Sequence, residues 1–300
     1  MNKNKVLFYA KEFELVRNFL AKLSVKLGIT TCKNSIYKLR NLHYKKMKRR
    51  FFHLIPDDKI EYINTGDINK QIFVYWNSGF ENAPDIVKKC VASLKQQKDY
   101  EIVLLSNNNL KDYIEFPNFI IEKYKKGFIS NTHLSDLIRT NLMVKYGGVW
   151  VDATVFLSNS IPNDFLKQPL FLLKHETFID DMSYGYNNRF IISQKNNPIL
   201  KIMLNLLYTY REKENYVLDY FLWHLFMLLI AEKQQEYLDK IITYIDYDAH
   251  IYQNYMFKKF DDDQRNNILQ RSFVHKLTYK YNKKELSEDC FIEKTLLKDF

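Results

Sequence analysis

With 7 glycines and 6 prolines in 300 residues, the chain has little of what builds loop-dominated or low-complexity proteins. Its three cysteines, Cys32, Cys90 and Cys290, are scattered and form no CxxC pair. They provide neither a zinc framework nor an even disulfide set, which fits a reducing compartment. No apolar run reaches the roughly 18 residues that a spanning helix needs. The best stretch, 220–231, is shorter and contains His224, so it reads as a buried helix. The amino terminus has no compact apolar segment with a small-residue cleavage site, as a signal peptide would. Together these absences predict a cytoplasmic protein. P-loop, GxGxxG and GxSxG patterns are missing, and His175-Glu176 lacks the second histidine of HExxH. Kinase, dehydrogenase, hydrolase and zinc-protease chemistry therefore have no motif to rest on.

Hydrophobic residues make up 46% of the chain, enough for a substantial core. The 22 Tyr and 22 Phe suit sugar stacking, but most belong to that core. The net charge of +10 is concentrated at one end. Residues 1–50 carry ten lysines and four arginines against Glu12 and Glu14, which leaves the remainder close to neutral. Between residues 6 and 27 apolar side chains recur at helical spacing with basic residues between them, and a second basic stretch ends in Lys45, Lys46, Lys48, Arg49 and Arg50. Residues 1–56 thus read as a basic amphipathic helical arm. It either lies on an anionic membrane surface or packs on the body with a solvated basic face. No nucleic-acid recognition motif accompanies the charge, so nucleic acid is not an expected partner.

Residues 57–300 form the body. The run 71–76 reads as a buried strand, 83–96 as a helix with Pro84 near its first turn, and 100–105 as a second strand. A short helix at 110–113 and a short strand at 119–121 follow. This alternation predicts a largely parallel sheet with covered faces, whose ligands sit beyond the strands' carboxyl ends. Beyond residue 170 the spacing predicts a helical and irregular part, with 198–210 and 217–232 its clearest helices.

The chemically informative stretch is 131–156, NTHLSDLIRTNLMVKYGGVWVDATVF. Leu134, Leu137, Ile138 and Leu142 mark the apolar stripe of a helix, and Thr132, Asp136, Arg139 and Thr140 share its polar face. Gly147 and Gly148 end the helix, because glycine takes the left-handed conformation cheaply. Val149-Trp150-Val151 then reads as a strand ending in Asp152. The return of the chain brings Asp152 and the Asp136/Arg139 face to one cleft. A carboxylate there can hold a divalent cation or a ribose hydroxyl.

The pattern Ser135-Asp136-Leu137-Ile138-Arg139, Tyr146-Gly147-Gly148 and Val149-Trp150-Val151-Asp152-Ala153-Thr154 resembles the capsular polysaccharide synthesis glycosyltransferases, which are related to sugar transferases with a DXD motif. Val74-Tyr75-Trp76 with GFENAP at 79–84, Asp219-Tyr220-Phe221 with His224, and His275-Lys276-Leu277-Thr278-Tyr279-Lys280 resemble the same family, so the likeness spans 71–280. It implies an α/β fold: a GT-A-like nucleotide-sugar-binding mixed sheet flanked by helices, with a helical C-terminal part. It implies transfer of a sugar, with retention of configuration, from a nucleotide-sugar such as a UDP-sugar to a cell-surface polysaccharide precursor. The catalytic set would be Asp136, Arg139 and Asp152. Trp76 and Tyr75 would flank the donor base, Asp136 and Arg139 the donor sugar and diphosphate, and Asp152 the ribose. Thr154, Lys276 and Lys280 complete the expected donor contacts. An Mn2+ or Mg2+ ion is expected on Asp152, Thr154 and His275, although Thr154 replaces the second DXD carboxylate and Lys276 or Lys280 can neutralise a diphosphate instead. The expected acceptor is a glycan or lipid-linked oligosaccharide at the inner membrane face, reached by a peripherally bound enzyme. The alternative is a degenerate transferase that only binds nucleotide or glycan in a membrane-associated assembly.

Overall fold

The computed structural model describes residues 30–66, 68–174 and 185–297. The periodic segment 6–27 and the His175-Glu176 pair lie outside them. Five strands of the main sheet, β1 (Gln71–Tyr75), β2 (Glu101–Leu105), β3 (Gly148–Val151), β5 (Leu170–Lys174) and β6 (Tyr186–Ser193), are joined by β7 (Thr243–Ile245) in the order β2-β1-β3-β6-β5-β7. Strand β1, next to the edge strand β2, is parallel to both β2 and β3. Beyond β3 the sheet becomes antiparallel through β6 and β5, and β7 returns parallel to β5. A separate pair, β4 (Val155–Leu157) with β8 (Val274–Lys276), runs antiparallel.

Side chains alternate across the sheet. Phe73, Tyr75, Trp150, Leu172 and Ile191 enter one core, and Ile72, Val74, Val149, Val151 and Phe190 enter another. Among the described residues the helices longer than one turn are α1 (Thr30–Phe51), α2 (Asp85–Ser93), α3 (Asn118–Lys125), α4 (Asn131–Lys145), α5 (Pro198–Lys213), α6 (Leu222–Lys233), α7 (Asp246–Tyr255) and α8 (Asp262–Arg271). The mixed sheet, its helical cover and the helical C-terminal part are those the sequence implied. Among the described residues no helix is long and apolar enough to cross a membrane. From Leu222 onward the 220–231 stretch lies in α6, apolar on nearly every side and largely buried, so this helix starts five residues later than the expected 217–232.

Three local expectations fail. The stretch 119–121 lies in helix α3, because Pro117 starts a first turn and Phe119-Ile120-Ile121 fits either period. The region after residue 170 contributes two inner strands. β5 is a short apolar run that periodicity cannot assign, and β6 breaks its apolar pattern with Asn187, Asn188 and Arg189. All eight residues of β6 are buried, its polar ones included. Thr140 is fully buried rather than on the open helix face, its hydroxyl donating to the Asp136 carbonyl at 2.7 Å.

The end of the basic arm is part of the body. Met47 and Phe51 have no exposed surface and lie in the larger core, the Phe51 ring edge-on to Phe226 at 5.5 Å. Lys48 and Tyr44 bind Glu232, Arg50 pairs with Glu214, and His43 meets Asp219 at 2.8 Å. Leu42, Lys45 and Arg49 point outward. Phe51→Ala is expected to cost about 3–5 kcal/mol in urea unfolding, as large-to-small changes in packed cores do. A loss below 1 kcal/mol would mean that α1 is an appendage.

Candidate active site

Ser130 caps helix α4 by accepting from the His133 amide, and Leu134, Leu137, Ile138 and Leu142 dock on the sheet. That docking leaves Thr132, Ser135 and Arg139, at three- and four-residue spacing, along one flank. The chain then reverses through Gly147 and Gly148, both with positive φ, into β3 beside β1. Because β1 and β3 are parallel, the residues that follow them, Trp76-Asn77 and Asp152-Ala153-Thr154, emerge at the same edge. They meet the α4 flank around a cavity of about 240 Å³, also lined by Tyr75, Asn131 and Tyr279. Trp76 and Tyr279 stand edge to face at 5.1 Å between ring centres. The expected meeting at one cleft holds for Arg139 and Asp152, whereas Asp136 does not line the cavity.

Arg139 organises the site. Its Nη1 donates to the Asn188 carbonyl at 2.8 Å, its Nη2 to Ser135 Oγ at 2.9 Å, and its Nε to the Ser135 carbonyl at 3.2 Å. The same Nη2 lies 3.2 Å from Asp152 Oδ1, and Nε lies 3.7 Å from Asp136 Oδ1. The guanidinium stacks over Trp150, whose indole N–H donates to Asp152 Oδ1 at 2.9 Å. The Asp152 amide donates to the Arg189 carbonyl at 2.8 Å, so the aspartate is fixed at both backbone and side chain.

Asp136 sits one step behind the cavity wall, where Asn188 Nδ2 donates to its Oδ1 at 2.9 Å. Burial pushes its carboxyl up to about 6; Arg139 opposes the rise, Asp152 adds to it, and Asn188 and Arg211 oppose it further. The folded chain therefore keeps this proton at pH values where an unfolded aspartate, at 3.8, has lost it. Ionising Asp136 costs stability, with no penalty below about pH 4 and the whole penalty above about pH 6. The unfolding free energy of wild type minus that of Asp136→Asn is thus expected to fall as the pH rises through this window. A difference that rises instead would reverse the assignment.

Lys276 of β8 stands behind Thr154 and, contrary to the expected donor contact, does not itself line the cavity. Its ammonium donates to Thr154 Oγ1, and burial pushes it down to about 8, with Asp152 opposing and Arg189 reinforcing the shift. Alternation along β8 sends His275 to the opposite face, between Phe156 and Tyr252, with Nε2 2.9 Å from Ser158 Oγ. His275 is fully buried, and burial pushes its imidazole down to about 3. The expected metal-ligand role of His275 therefore fails on direction. Lys280 is exposed over the Tyr279 ring and does not line the cavity. Asp219 accepts from the Phe221 amide and meets His43, a scaffold arrangement.

The implied divalent cation does not fit the residues present. Besides the loss of His275, the Thr154 hydroxyl already accepts from an ammonium, and Asp152 Oδ1 is engaged by Trp150 and Arg139. Among the described residues, no three His, Cys, Asp or Glu side chains form a group that could hold a metal ion. Sequence reasoning missed Asn188 and Arg189. Arg189 is buried, bonded to Asn187 and His250, and 3.3 Å from Asp246. The signal was there as three consecutive polar residues, Asn187-Asn188-Arg189, ahead of the apolar Phe190-Ile191-Ile192.

Residues 26–295 match the family described as "Capsular polysaccharide synthesis protein", so the likeness begins within the basic arm rather than at residue 71. The chain is 24% identical over 181 residues to "O-glycosyltransferase braB" of Annulohypoxylon truncatum, covering 51% of this chain and 43% of that protein. It is 26% identical over 155 residues to "O-glycosyltransferase PaGT" of Phomopsis amygdali, covering 47% and 38%. The chain thus spans less than half the length of these curated relatives in the matched regions. Among solved structures, "PaToxG Glycosyltransferase" aligns over 83% of this chain and 91% of its own at 15% identity, with a TM-score of 0.42.

Proposed function

The chain belongs to the capsular polysaccharide synthesis protein family, and from that premise we propose that it is a glycosyltransferase acting on a nucleotide-sugar donor. The observation that carries this reading is the meeting of Arg139 and Asp152 at one cavity edged by Trp76 and Tyr279. The Trp76 and Tyr279 rings, packed edge to face, offer an aromatic wall against which a nucleobase can lie, and Asp152 can accept from a ribose hydroxyl. In this reading Arg139 takes the diphosphate side, and Asp136, behind the wall, acts through Arg139 and Asn188. The barrier to glycosyl transfer lies mostly in breaking the bond from the anomeric carbon to diphosphate through an oxocarbenium-like state. A fixed, desolvated guanidinium suits that leaving charge. Among the described residues no carboxylate stands as an evident covalent nucleophile, so retention would follow from a front-face displacement. There the leaving phosphate helps to deprotonate the acceptor hydroxyl.

UDP-sugars are the proposed donors, and a glycan or lipid-linked oligosaccharide of cell-surface polysaccharide synthesis is the proposed acceptor. The basic arm supports attachment at the inner membrane face. Each well-placed Lys or Arg contributes about 1 kcal/mol to attraction to anionic lipid, and Lys45 and Arg49 remain outward-facing. Removing residues 1–29, which bear Lys3, Lys5, Lys11, Arg17, Lys22 and Lys26, should release the protein from anionic vesicles while sparing donor hydrolysis. Unchanged vesicle binding would reject the arm's role.

The deciding experiment screens nucleotide sugars by thermal shift and by hydrolysis. A stabilising donor that is also turned over is the expected result, with turnover falling about 100-fold in Asp152→Asn. Stabilisation by nucleotides with no turnover of any donor, in wild type as in the variant, would instead identify a binding module.

A further inference from the structure

Thr154 holds the place where the related DXD enzymes carry a second carboxylate, and the chain fills that place with its own cation. Val155 of β4 lies opposite Lys276 of β8, and the Leu277 amide donates to the Thr154 carbonyl at 2.8 Å. Backbone register therefore brings the lysine to residue 154. Its ammonium donates to Thr154 Oγ1. An ammonium has hydrogens only to give, so the hydroxyl must accept, and its own hydrogen turns elsewhere. Thr154 lines the cavity, and that hydrogen can be given to an anion there. The usual polarity of the position is inverted, from a carboxylate that accepts to a hydroxyl that donates. Positive charge is already dense around Asp152, with Arg139 at 3.2 Å and Lys276 and Arg189 both close enough to be influenced by it. Asp246 pairs with Arg189 and Asp136 lies behind Arg139, so a dication placed in the cavity would meet Asp152 as its single lining carboxylate, far short of the oxygen-rich anionic shell that Mg2+ or Mn2+ takes.

We infer that Lys276 and Thr154 together replace the divalent cation: Lys276 turns the Thr154 hydroxyl into a donor toward the leaving diphosphate and, with Arg139, supplies the balancing positive charge, so that transfer needs no metal. The inference rests on the proposed donor site. In the reaction the bond between the anomeric carbon and the diphosphate oxygen breaks, and its electron pair stays on that oxygen. The acceptor hydroxyl oxygen forms the new bond to carbon, and its proton passes to the released diphosphate. Lys276 acts through Thr154 and through its charge; it is a positioning residue, and Thr154 makes the contact.

The test uses UDP, a panel of UDP-sugars and the full chain after treatment with EDTA. UDP affinity by calorimetry should agree within about twofold in EDTA and in Mn2+, and donor turnover should persist in EDTA. Lys276→Met and Thr154→Val should each lose about 100-fold in kcat with KM changed less than about threefold, and Thr154→Ser should restore most of the loss. The double variant Thr154→Asp with Lys276→Met should bind Mn2+, seen in its spin-resonance signal, where the wild type does not. Should Lys276→Met fail to fold, the wild-type EDTA comparison and the two Thr154 variants still decide. UDP binding or turnover that vanishes in EDTA and returns with Mn2+ or Mg2+ overturns the inference. No UDP binding in either buffer overturns the donor-site reading and the inference with it. Equal UDP binding in both buffers without turnover of any donor overturns the transferase reading but supports metal-free capture of the diphosphate.

Discussion

Arg139→Ala is expected to lower the unfolding free energy by about 3–5 kcal/mol and to reduce donor turnover at least about 1,000-fold. The guanidinium is almost wholly buried and makes three hydrogen bonds, to two backbone carbonyls and the Ser135 hydroxyl, besides pairing with Asp152 and approaching Asp136. Removing it strands two carboxylates in a low-dielectric pocket and leaves the Asn188 carbonyl without its side-chain donor. Breaking a buried pair is costly for that reason, even where the intact pair adds little net stability. The loss should shrink at acid pH, because Asp136, already displaced upward by burial, can shed its charge by protonation. Unfolding measured near pH 5 and near pH 8 should therefore show a smaller deficit at the lower value. Arg139→Lys should recover part of the stability but little of the activity, since one ammonium cannot reproduce the fork to Ser135, Asn188 and Asp152 together. An alanine variant that unfolds within 1 kcal/mol of wild type at both pH values would remove Arg139 from the centre of the site.

Much of this site was legible because it is written in local periodicities. Helix α4 shows its docked stripe in Leu134, Leu137, Ile138 and Leu142, and paired glycines followed by Val149-Trp150-Val151 announce a reversal into a strand. Such features depend on neighbours three or four residues away. What was not legible depends on contacts across long separations. Asn188 is 52 residues from Asp136, and only the burial of β6 explains why a strand carries Asn-Asn-Arg. The direction of His275 depends on the register of β8 against β4, where shifting the pairing by one residue exchanges the two faces. Spacing within the chain places His275 and Lys276 side by side and cannot say which of them reaches Thr154. The contacts of the arm also depend on long separations. Its charge suggests solvent, yet Met47 and Phe51, at four-residue spacing, form an apolar edge that α5 and α6 cover.

Gly148→Ala is expected to cost on the order of 4 kcal/mol and to impair turnover even where the variant folds. Two independent penalties meet at this position. Its φ of +90° lies where side chains are rarely tolerated. A Cβ there would also stand 2.6 Å from the Gln71 carbonyl oxygen and 3.0 Å from that of Asn69, both backbone atoms that cannot rotate away. Relief requires β3 to move from β1, and Asp152 sits at the far end of that four-residue strand. A displacement of some tenths of an ångström there spoils the alignment of Asp152 with Arg139, and chemistry that depends on orientation is sensitive to such shifts. Gly127→Ala separates the two penalties. Its φ is +73°, but nothing lies within 4 Å of the added Cβ, so only backbone strain of about 1–2 kcal/mol should appear, with no loss of turnover in the folded protein. Urea unfolding of both variants, with donor hydrolysis measured on the folded fraction, gives the comparison. If Gly148→Ala proved no more costly than Gly127→Ala, the tight seam between β1 and β3 would be wrong, and with it the reason that Asp152 and Trp76 emerge together.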